Sequence, residues 1–252
     1  MRTKEKKFLC VFFFITLSTF TQNHKPPNVL LIISDDQGFS ELGSYMDFSD
    51  RNTLGAKNLE VLKKITEVAF NKAPIEVCFE AARKCMPNVD KLREQGMRFT
   101  DFHAAATCAT SRGALMSSRY PQSFGIYGND DMEGQYGQGF PAGVLFPVQL
   151  FKKAGYETGL IGKWHLGTAK GQHPNDRGFN YYFGFDRTHT EKYNSTHLYR
   201  NKEKVLAKDW LADQMSEEAI GFLKRTEDTQ KLFFYFDKSL KVELPPIHRH
   251  TG

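Results

Sequence analysis

The sequence predicts an α/β fold with a mainly parallel sheet flanked by helices. Short runs of apolar and β-branched residues suit buried strands, the stretches between them follow helical grammar, and the two kinds alternate along the chain. Asn28–Ile33 (NVLLII) reads as a strand buried on both faces, with Ser34, Asp35 and Asp36 at its carboxyl end. Ligands in open α/β sheets usually bind at that end.

Pro87 to Gln95 reads as a short helix, with proline in its first turn and Gly96 as its stop. Met97–Phe102 then alternates as a strand. Pro147–Ala154 followed by Gly155 repeats the helix-then-glycine pattern and leads into a strand over Thr158–Ile161. Trp210–Arg225 is amphipathic, with Leu211, Met215, Ala219 and Phe222 on one face. Leu232–Phe236 (LFFYF) is again a buried strand.

The 252 residues allow one large domain or two small ones, and 40% hydrophobic with 25% charged residues exclude a disordered or coiled-coil chain. Lys and Arg number 34 against 29 Asp and Glu, a net charge of +5. The first seven residues carry most of the excess, with Arg2, Lys4, Lys6 and Lys7 against Glu5. No basic stripe with interleaved aromatics follows, so no nucleic-acid partner is expected.

After that basic start come apolar Phe8–Leu17 and polar Ser18–Gln22, the form of a secretory signal over residues 1–22. An uncleaved amphipathic anchor is the alternative. The apolar run is shorter than the ~20 residues a membrane span needs. The expectation is a secreted, periplasmic or secretory-lumen protein with no stable membrane span. Asn194-Ser195-Thr196 has the form of a glycosylation acceptor.

The stretch Tyr45–Met86 reads as an insertion, with helices over Lys57–Phe70 and around Glu76–Lys84. On one helix, Cys78 and Cys85 would stand about 10 Å apart, beyond the roughly 7 Å a disulfide tolerates. Two unpaired thiols are expected.

Three groups of residues point to chemistry. Asp35 and Asp36 are adjacent carboxylates that repel one another and call for a cation, with oxygen donors suited to Ca²⁺ or Mg²⁺. Cys108 and Arg112 are four apart, which on a helical turn shares one face. Lys163 and His165, two apart after a strand, can point into one pocket. Each has a bland reading alone: a solvated turn, a buried thiol, a surface cation and a satisfied histidine.

In this order the three groups resemble the sulfatase family of the alkaline-phosphatase-like superfamily. The similarity runs from Asn28 to about Phe236, through PNVDKLREQGMRFTDFHA, CATSR, LMSSRYP, GIYG, AGYETGLIGKWHLG and RGFNYYFGF. Each piece is modestly specific and the ordered series is highly specific. The resemblance implies an alkaline-phosphatase-like sheet and a sulfuric ester hydrolase. Cys108 would be oxidised to formylglycine by a formylglycine-generating enzyme, and its hydrated aldehyde would attack sulfur. Asp35, Asp36 and the modified Cys108 would hold Ca²⁺ or Mg²⁺. Arg112 would stabilise the diol, Lys163 would contact sulfate oxygens, and His165 would hydrogen-bond the modified residue or sulfate. The chemistry of the residues agrees, because a thiolate is a soft, poor ligand for Ca²⁺ whereas a geminal diol offers a hard oxygen.

Four features depart from the family pattern. Thr110 stands where the modification motif has proline, and Ser118 where a glycine follows in the turn. Counting from Phe233 puts Glu243 at the place of a leaving-group histidine, with His248 and His250 offset. The family's further metal-binding Asp and Asn and a second Lys come from a downstream segment, and Asn175 and Asp176 lie too close to the GKWHLG element to replace them. Residues 23–252 therefore read as an incomplete amino-terminal sulfatase domain, apparently truncated at the carboxyl end. The substrate expected is a sulfated small molecule or carbohydrate. The alternatives are a non-catalytic fragment that binds sulfated ligands and a phosphoesterase of the same superfamily.

Overall fold

The computed structural model describes residues 26–37, 60, 64, 77, 80, 84, 86–99, 101–129, 139–187, 197–208, 210–228 and 231–238. The expected signal, the Asn194 tripeptide, Cys78, Cys85, Glu243, His248 and His250 lie outside them, as does most of the Tyr45–Met86 insertion. Within that insertion Glu60, Lys64, Val77, Glu80 and Lys84 are described, and each is helical.

Six strands form one sheet: β1 (Val29–Ser34), β2 (Glu157–Lys163), β3 (Tyr181–Phe185), β4 (Leu198–Arg200), β5 (Glu203–Val205) and β6 (Leu232–Lys238). Their order is β1-β6-β2-β3-β4-β5. The pairings β1–β6, β6–β2 and β2–β3 are parallel, while β4 and β5 add an antiparallel edge. The expected mainly parallel sheet is therefore present, with LFFYF between the first strand and β2.

Helices α1 (Pro87–Gln95), α2 (Cys108–Ser117), α3 (Pro147–Lys153) and α4 (Leu211–Arg225) accompany the sheet, with short 3₁₀ turns at Pro121–Phe124 and Pro174–Arg177. α1 and α3 each begin on a proline, whose missing N–H falls where a helix leaves its donors unsatisfied. Gly155, at φ 81°, turns the chain after α3.

Two apolar layers sandwich the sheet. On one face Ala109 and Met116 of α2 and Val148 of α3 pack with Leu160, Trp164, Tyr182, Phe233 and Tyr235. On the other, Leu211, Met215, Ala219 and Phe222 of α4 cover Ile161, Phe183 and Leu232. Those four α4 residues are the face selected from the sequence. Burying each large side chain contributes about 1.5–3 kcal/mol before the ordering cost.

α4 lies close because Gly159 of β2 has no side chain: a Cβ there would stand 2.5 Å from the Phe222 ring. A Gly159→Ala variant is expected to lose about 1–3 kcal/mol by overpacking. Urea unfolding checks this through a lowered midpoint at unchanged slope; an unmoved midpoint would show that α4 shifts without cost. Gly184 of β3 is tighter still, facing the Gly162 backbone where any Cβ would collide.

Two expectations need correction. Met97–Phe102 forms no ladder among the described residues, and Met97, Phe99 and Phe102 are exposed. Alternation marks a segment that can sit on a sheet; pairing needs a neighbouring strand to supply the hydrogen bonds. β1 is also not buried on both faces. Val29, Leu31 and Ile33 pack on the α2–α3 layer, whereas Leu30 and Ile32 are 55% and 54% exposed. The reason is position: among the described residues β1 lies at the edge of the sheet, and α4 packs against β2 and β3.

Candidate active site

Three elements deliver side chains to one point at the carboxyl end of the parallel strands. Asp35 and Asp36 follow β1 directly, β2 ends in Lys163, and α2 begins at Cys108 with Arg112 one turn on. β2 runs two residues past its expected end at Ile161, which makes Lys163 its last residue. β6 lies between β1 and β2, so Lys163 reaches across about two strand spacings, roughly 10 Å.

Asp35 is the hub. Its Oδ2 accepts hydrogen bonds from Arg112 Nη2 and from Lys163 Nζ, each at 3.0 Å. Its Oδ1 accepts from the Cys108 thiol at 3.4 Å. Arg112 is held from behind: its Nη1 donates to the Lys163 carbonyl at 3.0 Å and to the Tyr235 hydroxyl at 3.2 Å. Asp36, exposed and at φ 55°, brings a carboxylate oxygen within 4.8 Å of the Asp35 oxygen and the Cys108 sulfur.

The first turn of α2 is pinned by polar side chains. Asn129 Oδ1 accepts from the Ala109 amide at 3.1 Å, satisfying one of the donors a helix start leaves open. Thr110 Oγ1 donates to the Thr107 carbonyl at 3.0 Å and accepts from the Thr107 amide at 3.3 Å. Ser111 Oγ donates to the Ala105 carbonyl at 2.9 Å. Thr110 therefore caps the turn in which the family pattern has proline. Ser118, in the place of the pattern's glycine, ends α2 at φ 54°, a left-handed position that glycine adopts without strain.

His165 lies two residues beyond Lys163 at φ 52°, its ring fully buried and its amide donating to the Asp186 carbonyl at 3.3 Å. Gln172 clamps that loop. Its backbone carbonyl accepts from Trp164 Nε1 at 2.9 Å, its Oε1 from the Ala169 amide at 3.0 Å, and its Nε2 donates to the Phe140 carbonyl at 3.2 Å. Of the six residues selected from the sequence, Cys108, Arg112 and Lys163 are joined through hydrogen bonds to Asp35. Asp36 joins them by distance, whereas His165 is placed only on the loop two residues beyond Lys163.

Charge decides the protonation states. Burial pushes the Asp35 carboxyl up, but Arg112 and Lys163 outweigh it and hold the group below the ordinary aspartate value. Burial also pushes the Cys108 thiol up, and Asp35 adds to this against the pull of Lys163. An unmodified Cys108 is therefore a protonated thiol, a weak nucleophile and a poor partner for a hard cation. The two carboxylates fit an oxygen-seeking divalent ion; the sulfur does not, and an oxygen at position 108 would.

Nothing in the sequence singles out Tyr235, Asn129 or Gln172. LFFYF reads as a strand, and nothing local marks its tyrosine as the partner of an arginine 123 positions away. Asn129 and Gln172 likewise act through contacts that only the folded chain makes.

An acidic pair after β1, a cysteine at the start of α2 and two buried cations, Arg112 of α2 and Lys163 at the end of β2, thus meet at the carboxyl end of the parallel strands. The sulfatase family model matches residues 27–237, and the chain belongs to the sulfatase family. It is 32% identical over 234 residues to the uncharacterized sulfatase YdeN of Escherichia coli (strain K12), covering 83% of this chain and 40% of that protein. Against arylsulfatase G of Homo sapiens it is 34% identical over 174 residues, 69% of this chain and 26% of that one. The crystal structure of Ps i-CgsB superposes with a TM-score of 0.63 at 25% identity, covering 86% of this chain and 45% of that chain. The chain thus spans less than half the length of each of these relatives.

Proposed function

We propose that this protein is the amino-terminal part of an exported sulfuric ester hydrolase that cleaves a sulfated small molecule or carbohydrate. The observation that carries the reading is the Asp35 carboxylate, which accepts at once from Cys108, Arg112 and Lys163. That arrangement sets a nucleophile position between an acidic doublet and two buried cations, as an anionic ester requires.

Oxidation of Cys108 to formylglycine, by a formylglycine-generating enzyme during maturation, supplies a hydrated aldehyde whose hydroxyl is the nucleophile. Asp35, Asp36 and an oxygen at position 108 would hold Ca²⁺ or Mg²⁺, which would supply Lewis-acid polarisation when bound. The chain's own residues do the rest. Lys163 binds sulfate oxygens and offsets their charge. Arg112, fixed by Tyr235 and the Lys163 carbonyl, orients Asp35 and stabilises the group at 108. His165, buried on a loop clamped by Gln172, hydrogen-bonds the modified residue or the sulfate. Asn129, Thr110 and Ser111 hold α2 so that position 108 stays on the Asp35 side. Residues 1–22 direct the chain into the secretory route.

Parallel assays of an aryl sulfate and an aryl phosphate, with and without chelator, test this function. Sulfate cleavage that chelation removes and the divalent ion restores is the expected result. Preferential phosphate cleavage would assign the site to phosphoryl transfer. Binding of the sulfate ester without turnover would make the protein a sulfatase-derived binding module.

A further inference from the structure

The segment between β2 and β3 holds residues 139–146 through their backbone carbonyls. Gln172 Nε2 donates to the Phe140 carbonyl at 3.2 Å. Arg177 Nη1 donates to the Pro141 and Ala142 carbonyls, and its Nη2 to the Val144 carbonyl at 2.7 Å. In the other direction the Phe140 amide donates to the carbonyl of Leu166, which follows His165 directly. On the other side of His165, Trp164 Nε1 donates to the Gln172 carbonyl. Both chain neighbours of His165 are therefore tied, through Phe140 and Gln172, into one closed joint.

Two glycines make room for that joint. A Cβ on Gly139 would stand 2.5 Å from Gln172 Oε1, and one on Gly167 would collide with the same oxygen and lie 2.9 Å from Gly139 Cα. The buried Gln172 amide thus fills a notch between the two segments with both ends engaged, Oε1 accepting from the Ala169 amide and Nε2 donating to Phe140. Such a group fixes its surroundings more sharply than apolar contact does, because either end left unpaired keeps its full desolvation cost.

We propose that Gln172 is a positioning residue: by locking residues 139–146 to the loop after β2, it sets the place of the His165 imidazole relative to position 108. The inference rests on the reading of His165 as a group that hydrogen-bonds the modified residue or the sulfate. Gln172 acts through the loop, and a displacement of about 1 Å in such a group costs up to about 100-fold in rate.

Gln172→Met keeps the side-chain length and removes both amide hydrogen bonds. Against an aryl sulfate its kcat is expected to fall about 10- to 100-fold with KM within about threefold, since Lys163 is held by β2 and Asp35. Gln172→Glu keeps the acceptor for Ala169 and has a donor for Phe140 only when its carboxyl is protonated, so its deficit is expected to shrink as pH falls. Met215→Ala, on α4 across the sheet, lowers stability away from the joint and is expected to keep the parental kcat. Independently of turnover, the ¹⁵N resonances of the His165 ring are expected to shift in Gln172→Met and to stay in place in Met215→Ala. Parental kcat in Gln172→Met, an equal loss in Met215→Ala, or unmoved His165 resonances would each overturn the proposal. If the parent hydrolyses no sulfate ester, the sulfatase reading fails by itself, and the resonances alone decide whether Gln172 places His165. Should Gln172→Met fail to fold, Gln172→Glu takes its place in each comparison.

Discussion

Replacing Cys108 by alanine is expected to lower sulfate ester hydrolysis by about 10³-fold or more, because it removes the group in the site placed to become the nucleophile. The fold is expected to survive. Alanine suits a first helical turn, and the pinning contacts from Asn129, Thr110 and Ser111 do not involve the sulfur. The lost hydrogen bond to Asp35 is a weak sulfur contact at 3.4 Å, and its removal costs about 1 kcal/mol at most. Turnover and urea midpoint measured on the same preparation separate the two effects. A Cys108→Ala variant with parental turnover would remove position 108 from the chemistry.

The largest effect on stability is expected from Asp35→Ala. Arg112 and Lys163 leave only 4% and 3% of their side chains exposed, and both rest on Asp35 Oδ2. Removing the carboxylate leaves two buried cations without their common counter-charge, and breaking a buried pair in this way costs about 3–5 kcal/mol. Asp35 itself is 13% exposed and Asp36 is near, which places the expectation at the lower end. The pH dependence follows from the sign of the shift. Burial raises the Asp35 value, the two cations pull it back further, and the folded value lies below the unfolded one. Its stabilisation is therefore complete above the unfolded value and is lost as pH falls through the folded value. Parent and variant are expected to differ widely at neutral pH and to converge in acid. Equal midpoints at neutral pH would refute the hub role.

Much of this site is legible in the sequence because its residues sit where local rules operate. Asp35 and Asp36 close an apolar run, Cys108 and Arg112 keep one-turn spacing, and Lys163 follows a strand whose helix-then-glycine preface is plain. The α4 face is legible for the same reason, since a helical period exposes it. What escapes depends on contacts between distant segments. Tyr235 of β6 backs Arg112 of α2, Asn129 satisfies an amide 20 positions away, and Gln172 ties the His165 loop to Phe140. The misreadings have the same origin. The pattern of Met97–Phe102 is that of a strand, and the composition of β1 is that of an interior one, yet pairing and cover come from neighbours that local pattern does not specify. The antiparallel edge, β4 and β5, is only three residues per strand, too short for periodicity to mark.

Conversion of Cys108 is tested most directly by the mass of the tryptic peptide Phe99–Arg112 from protein matured through a secretory route. Oxidation of the thiol to the aldehyde predicts a mass about 18 Da below that of the unmodified peptide. A peptide recovered wholly with its thiol intact would contradict it.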